Sequence, residues 1–263
     1  MSSAQPKKPA HDEATARVAS LFAEPAEPMV PPASFDEACE AFGIALSPGE
    51  REQLGRYLTL LFRANAAFNL TAVRDADEAW TRHIFDSLTL LAALAELPAD
   101  ALMCDVGSGG GLPGIPLAIV RPDAPVTLLE PTGKKAAFLE GVAATLGLSH
   151  VTVVRDRAER AGALDGPLRA AFPIVTARAV GRLNLLLELT LPLAEVGGVV
   201  LAMKGEKADE ELAESRKAIH ALHAAPAGTV QTPTGTIVVI EKRRTTPKMY
   251  PRRDGEPKRN PIA

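Results

Sequence analysis

The chain has 263 residues, 46% of them hydrophobic and 23% charged, the balance of an ordinary globular protein. A formal net charge of -3 excludes a protein that coats nucleic acid nonspecifically, and 4% aromatics argue against a base-stacking platform. No charge-free apolar run of about 18 residues occurs, which excludes a membrane-spanning helix.

The N-terminal residues Met1 to Ala23 carry Lys7 and Lys8 but no apolar h-region, so no secretory signal is read. Residues 1–33 hold Pro6, Pro9, Pro25, Pro28, Pro31 and Pro32 with little apolar patterning and are expected to form a disordered tail. Ser34-Phe35-Asp36-Glu37 has capping-box spacing and predicts a helix to about Phe42. Ser47-Pro48-Gly49-Glu50 repeats the signal, and Leu54, Tyr57, Leu58, Leu61 and Phe62 follow on one helical face. A third helix is expected from Asp75 to Leu94, with Ile84, Leu88 and Leu91 on one stripe. These helices make residues 34–98 a helical lead-in.

From Ala101 the pattern changes to short apolar runs separated by helices. Leu102–Val106, Val126–Glu130, Val151–Val154, Pro173–Thr176 and Val196–Met203 read as strands. Between them, Pro113–Val120, Thr132–Leu146, Leu183–Leu191 and Glu206–Ala221 read as helices. This predicts an α/β, doubly wound, mainly parallel sheet over residues 99–241, with Ile237–Ile240 as an antiparallel edge strand. Residues 242–263 hold eight basic residues against two acidic ones, and Pro247, Pro251, Pro257 and Pro261 forbid a continuous helix. Counted from Glu241 the tail carries +5, which leaves -8 for the rest of the chain, and it is expected as an extended basic arm.

The most informative stretch is Cys104-Asp105-Val106-Gly107-Ser108-Gly109-Gly110-Gly111-Leu112-Pro113-Gly114, which follows a strand and opens a helix. Its glycines permit a sharp turn and close approach of a ligand to the backbone, and the helix start behind them offers free N–H donors. Glu130 ends the next strand about 20 residues on, where an acid can bond ribose hydroxyls. A nucleotide-containing cofactor follows, of the NAD or the S-adenosylmethionine type. Asp105, two residues before Gly107, suits the cationic end of S-adenosylmethionine and would repel a pyrophosphate. Gly107, Gly109 and Gly111 with Asp105 thus resemble the first motif of class I S-adenosylmethionine methyltransferases, a Rossmann-like fold.

The place after the fourth strand reads Thr176-Ala177-Arg178-Ala179, which lacks the Asn/Asp-Pro-Pro-aromatic motif common in exocyclic-amine methylation. Cys39 and Cys104 form no CxxC pair and read as core residues in a reducing cytoplasm, so no cysteine nucleophile, disulfide or zinc knuckle is expected. What remains is transfer to a nucleophile that is already available, such as guanine N7, with positioning as the main catalytic effect.

As an ordered set, Phe68–Arg74, Arg82–Leu88, Asp105–Ile119, Lys134-Lys135, Arg157–Glu159, Ala177–Ala179, Lys204-Gly205 and Thr246–Arg252 resemble the bacterial small-subunit rRNA guanine-N7 methyltransferases, also called glucose-inhibited division protein B. The resemblance implies cofactor contacts at Gly107, Leu112, Ala158, Glu159 and Arg178, a 16S rRNA or small-subunit (precursor) substrate, and a cytoplasmic enzyme. A small-molecule methyltransferase and a non-catalytic nucleotide-binding protein are the competing readings on the same fold.

His83 and Asp86 share a helix face. With Asn69 they either brace the lead-in helices and the glycine loop or face the methyl group with Arg178 as catalytic residues. No third ligand at suitable spacing joins them, so no metal site is read. Lys134, Lys135, Lys204, Arg243, Arg244, Lys248, Arg252 and Arg253 are expected to hold RNA phosphates along one sheet edge and the tail. No heptad run argues for a coiled-coil dimer, and a monomer is expected.

Overall fold

The structure, a computed structural model, describes residues 18–262. Seven strands form one sheet in the order β3-β2-β1-β4-β5-β7-β6. They are β1 (Met103–Val106), β2 (Val126–Leu129), β3 (Val151–Val154), β4 (Phe172–Arg178), β5 (Ala194–Lys204), β6 (Ala224–Thr232) and β7 (Gly235–Lys242). β1 to β5 run parallel, with Cys104 opposite Thr127 and Val175, while β7 runs antiparallel to β5. The sheet order reverses at β1 and β4, which sets a crevice at their carboxyl ends.

One correction concerns the edge. Ile237–Ile240 lies inside β7, which is flanked by β5 and β6, and β6 is the true edge strand. β6 escapes sequence reading because its face is largely solvent-exposed and Pro226 and Gly228 interrupt its register. The turn Pro233-Thr234 joins the two strands as a hairpin.

Helices cover both faces of the central strands. On one, helices Pro48–Phe68, Gly114–Val120 and Gly133–Thr145 share a continuous apolar cluster with the lead-in, from Phe35 through Leu61 and Trp80 to Leu128 and Phe138. On the other, helices Ala158–Ala161, Leu183–Thr190, Ala208–Glu214 and Arg216–Ala221 enclose a second cluster around Val175, Leu186 and Val200. The expected helix Glu206–Ala221 breaks at Ser215, whose hydroxyl donates to the Glu211 carbonyl at 2.6 Å and bends the backbone.

The capping box at Ser47 forms, with Glu50 N–H donating to Ser47 Oγ and Ser47 N–H donating to Glu50. The one expected at Ser34 does not; that helix is Ala33–Phe42 and its N-cap is Pro32, with no side-chain cap. Within the expected helix Asp75–Leu94, the turn Trp80–Phe85 is a π-helix, and the helix is interrupted before Leu91–Leu94.

Residues 1–17 of the expected disordered tail lie outside the described residues. Residues 18–33, expected to be disordered with them, pack on the body. Phe22 stacks on Phe138, Met29 N–H donates to the Gly55 carbonyl, and Arg63 donates to the Glu24 and Pro25 carbonyls.

The C-terminal segment also differs from the expected extended arm. It folds back as a strap over helix Leu183–Thr190. Arg169 donates to the Thr246 and Tyr250 carbonyls at 2.9 Å each. Arg252 forms two hydrogen bonds with the fully buried Glu188, at 2.9 and 2.6 Å. Asn184 Nδ2 donates to the Ile262 carbonyl at 3.0 Å. Arg252 and Lys242 are spent on the buried Glu188 carboxylate and Ala194 carbonyl, and composition alone could not tell such a strap from a free arm. Among the described residues, no helix is long and apolar enough to cross a membrane.

Candidate functional site

The glycine loop leaves β1 through Gly107 (φ 71°), Gly109 (φ 59°) and Gly111 (φ 101°), all left-handed conformations that disfavour side chains. Packing enforces the same choice at Gly114, where an added Cβ would lie 2.3 Å from Leu128 Cδ2 and 2.9 Å from Asp105 Oδ2. Asp105 lies fully buried beneath the loop, accepting from Gly114 N–H and the Thr176 hydroxyl, both at 3.2 Å. Burial pushes its carboxyl up to about 6, against the opposing effect of these hydrogen bonds.

Glu130 accepts from Gly109 N–H at 3.0 Å and from Thr132 N–H at 2.8 Å, so it ties the end of β2 to the loop. From the lead-in, the buried Tyr57 hydroxyl donates to the Gly110 carbonyl at 2.9 Å. The loop is thus held from below by Asp105, from the side by Glu130 and from the helical layer by Tyr57.

Beside the loop lies a cavity of about 180 Å³. Its walls are Val106, Gly107, Leu129 and Pro131 on one side, Ala158 and Glu159 with Arg157 on a second, and Val180, Leu185 and Leu189 on a third. Gly255 and Lys258 of the strap complete the lining. The volume falls below the roughly 300–1,000 Å³ of whole-ligand sites, so it takes one part of a larger ligand. A Cβ at Gly107 would stand 3.2 Å from Val180 Cγ2, so the missing side chain opens this cradle. Apolar walls with a carboxylate and N–H donors nearby fit the nucleoside part of S-adenosylmethionine.

A second cavity of about 310 Å³ opens at Asp86, Arg178, Ala179, Met203, Lys204, Gly205, Glu211 and Thr234. The segment from Arg178 to Val180 separates the two spaces. Arg178 is the hub. Its Nη1 donates to Asp86 Oδ2 at 2.8 Å and to the Arg82 carbonyl at 3.0 Å, and its Nη2 lies 3.5 Å from His83 Nδ1. The wide turn at Trp80–Phe85 brings Arg82, His83 and Asp86 to this one guanidinium.

Arg178 offers only donors, which makes His83 Nδ1 the acceptor and puts the imidazole proton on Nε2, 2.7 Å from Thr71 Oγ1. Burial, then the Arg178 guanidinium, push the His83 imidazole down to about 4. His83 is therefore neutral at pH 7, with both ring nitrogens engaged. The loop that carries Thr71 is fixed in turn by Asn65, whose Oδ1 accepts from Thr71 N–H at 2.9 Å.

The expected residues separate as follows. Gly107, Ala158 and Glu159 line the first cavity, and Arg178, Asp86 and Lys204 line the second. Asp105, Gly109, Gly111, Leu112 and Glu130 form the loop and its braces. Asp105, expected beside the cationic end of the cofactor, lies fully buried with its carboxylate bonded to Gly114 N–H and the Thr176 hydroxyl. Asn69 ends helix Pro48–Phe68 at φ 52° and accepts from Arg74. Cys39 and Cys104 are buried free thiols, and burial pushes Cys39 up to about 11.

Of the expected RNA contacts, Lys134 is exposed, with its Nζ 5.5 Å from the centre of the Phe68 ring, and Lys135 is half-buried beside it. Lys204 Nζ is held by Glu211 Oε2 and the Gly181 carbonyl, both at 2.7 Å, so it is committed inside the protein. Arg243 and Arg244 are exposed but follow the end of β7 that lies away from the crevice. Arg252 is committed to Glu188, whereas Lys248 and Arg253 are exposed.

Sequence reasoning missed Tyr57, Thr71, Gly255 and Lys258. Tyr57 and Thr71 sat within segments already singled out. Gly255 and Lys258 gave no signal, because only the return of the strap brings them to the cavity.

The family model for GidB, described as rRNA small subunit methyltransferase G, matches residues 50–236. The chain is 50% identical to ribosomal RNA small subunit methyltransferase G of Sorangium cellulosum over 226 residues, 86% of this chain and 94% of that protein. It is 42% identical to the protein of the same name from Limosilactobacillus reuteri, covering 88% of this chain and 99% of that one. A crystal structure of a SAM-dependent methyltransferase from Aquifex aeolicus overlays with a TM-score of 0.51 at 15% identity, covering 66% of this chain and 96% of that chain, a likeness of fold.

Proposed function

The chain belongs to the ribosomal RNA small subunit methyltransferase G family, and from that premise we infer that it methylates N7 of a guanine in 16S rRNA with S-adenosylmethionine as donor. The observation that carries the reading is the juxtaposition of the small, mostly apolar cavity at Gly107, Ala158 and Glu159 with the Arg178 cavity. We assign the first to the cofactor and the second to the target base. The enzyme acts in the cytoplasm as a monomer on the small subunit or its precursor.

When bound, the cofactor supplies a methyl group on a sulfonium; the N7 lone pair takes the carbon and the C–S electron pair returns to sulfur. Guanine N7 carries no proton to be removed, so the site needs no general base. The buried side chains agree with that chemistry. His83 is neutral and has both nitrogens engaged, and it orients Arg178 instead of moving a proton. Asp86 fixes the same guanidinium from the other side. Arg178, held by three partners, is placed to position the base, and its catalytic share is orientation. Glu130 and the Gly107–Gly111 turn hold the nucleoside side, with Glu130 free to accept from ribose hydroxyls through its remaining lone pairs.

The test is transfer of a radiolabelled methyl group to deproteinised rRNA, intact small subunits and late precursors in parallel, with the labelled base identified as 7-methylguanine. Label at one guanine is the expected result. No label in any of the three, or label on another atom, would overturn the assignment.

A further inference from the structure

The strap residues Gly255 and Lys258 reach the first cavity from the opposite side of the chain's order, and the assigned function does not account for them. Contacts at Gly255, Arg252 and Asp254 fix this part of the strap. Gly255, at φ 74°, donates its N–H to Glu159 Oε1 at 2.9 Å. Three residues earlier, Arg252 is pinned to the buried Glu188 by its side chain and by its own N–H at 3.0 Å. Arg157, on the far wall, lies 3.6 Å from Asp254. The segment 252–258 is thus tied to both helices that flank the cavity.

We propose that Lys258 is a cofactor-binding residue that meets the adenine ring, and that the strap supplies the wall on which it stands. The inference rests on the assignment of this cavity to S-adenosylmethionine. Its chemistry follows from the lining. Leu129, Pro131, Val180 and Leu189 offer flat apolar contact, which suits a heteroaromatic ring. Lys258 is a donor with no accepting capacity, and adenine presents ring nitrogens that accept. A positive ammonium beside the sulfonium would repel it, so the arrangement is favourable only if the adenine end occupies this cavity. The basic tail therefore contributes at least one of its charges to cofactor capture.

The test is calorimetric binding of S-adenosylmethionine and of 5′-methylthioadenosine, which keeps the adenosine but lacks the amino-acid end and the positive charge. The full-length protein is compared with Lys258→Ala, Lys258→Arg and Arg259→Ala. Loss of one hydrogen bond of ordinary strength predicts roughly five- to tenfold weaker binding of both ligands to Lys258→Ala. Melting should be unchanged, because Lys258 is exposed. Lys258→Arg should retain most of the affinity, and Arg259→Ala, which alters a neighbouring charge outside the lining, should bind normally. Failure of the unaltered protein to bind S-adenosylmethionine would sink the functional reading itself. Binding by the unaltered protein with equal affinity for Lys258→Ala would sink only the role of Lys258. So would an equal loss in Arg259→Ala, or a loss confined to S-adenosylmethionine.

Discussion

Acidification tests the role of His83 directly. Its imidazole is held near 4 in the folded protein, against about 6.5 when free. A depressed histidine means that the unfolded chain takes up the proton first. Stability is therefore complete above about pH 6.5 and falls as pH drops toward 4. With these two values the loss at about pH 4.5 is roughly 2.5 kcal/mol. For a protein of this length that corresponds to roughly 5–10 °C in melting temperature. The comparison is with His83→Gln, an uncharged residue that still hydrogen-bonds. Asp105 works in the opposite sense, since its raised carboxyl adds stability as pH falls through about 6. That contribution is common to both proteins and cancels in the difference. The assay is thermal or urea unfolding from about pH 7.5 to pH 4.5, under low ionic strength and in parallel. The expected result is a gap between the two proteins that closes or reverses toward acid. Superimposed pH profiles would refute a desolvated, neutral His83.

Four further perturbations follow. Asp86→Ala removes one of the anchors of Arg178 and should lower kcat roughly 10- to 100-fold while cofactor affinity, read by calorimetry, stays near normal. Arg252→Met leaves Glu188 buried without its guanidinium and should cost about 3–5 kcal/mol in denaturant unfolding, largely recovered in the double variant Arg252→Met with Glu188→Leu. Tyr57→Phe removes the hydroxyl that holds the Gly110 carbonyl and should cost about 1–2 kcal/mol by the same measurement. Arg243→Ala with Arg244→Ala should leave rRNA affinity and its salt slope unchanged in filter binding, because both residues follow the end of β7 away from the crevice, whereas Lys134→Ala should reduce the slope by about one contact.

Much of this protein is written locally. Alternating apolar runs and helices between Leu102 and Met203 predict a parallel sheet, because strand and helix periods are properties of a few consecutive residues. The glycine loop is legible for the same reason: left-handed turns need Gly107, Gly109 and Gly111 wherever the rest of the chain goes. The ordered motifs from Phe68–Arg74 to Thr246–Arg252 carry the family resemblance in the sequence alone. Other features depend on partners far along the chain. The π-turn at Trp80–Phe85 has no sequence signal, yet it gathers Arg82, His83 and Asp86 onto Arg178, some 90 positions away. Asp105 is legible as an acid beside the loop, but its bracing of Gly114 and its bond from Thr176 depend on β4 lying next to β1. The tail shows the division most clearly. Its charge of +5 is a property of composition and is visible at once. Whether a charge such as Arg252 faces solvent or a buried carboxylate depends on Glu188, which only the folded sheet and its flanking helices bring within reach. Periodicity and loop chemistry act between neighbours and survive in the sequence; ion pairing across the fold is decided by the path of the backbone.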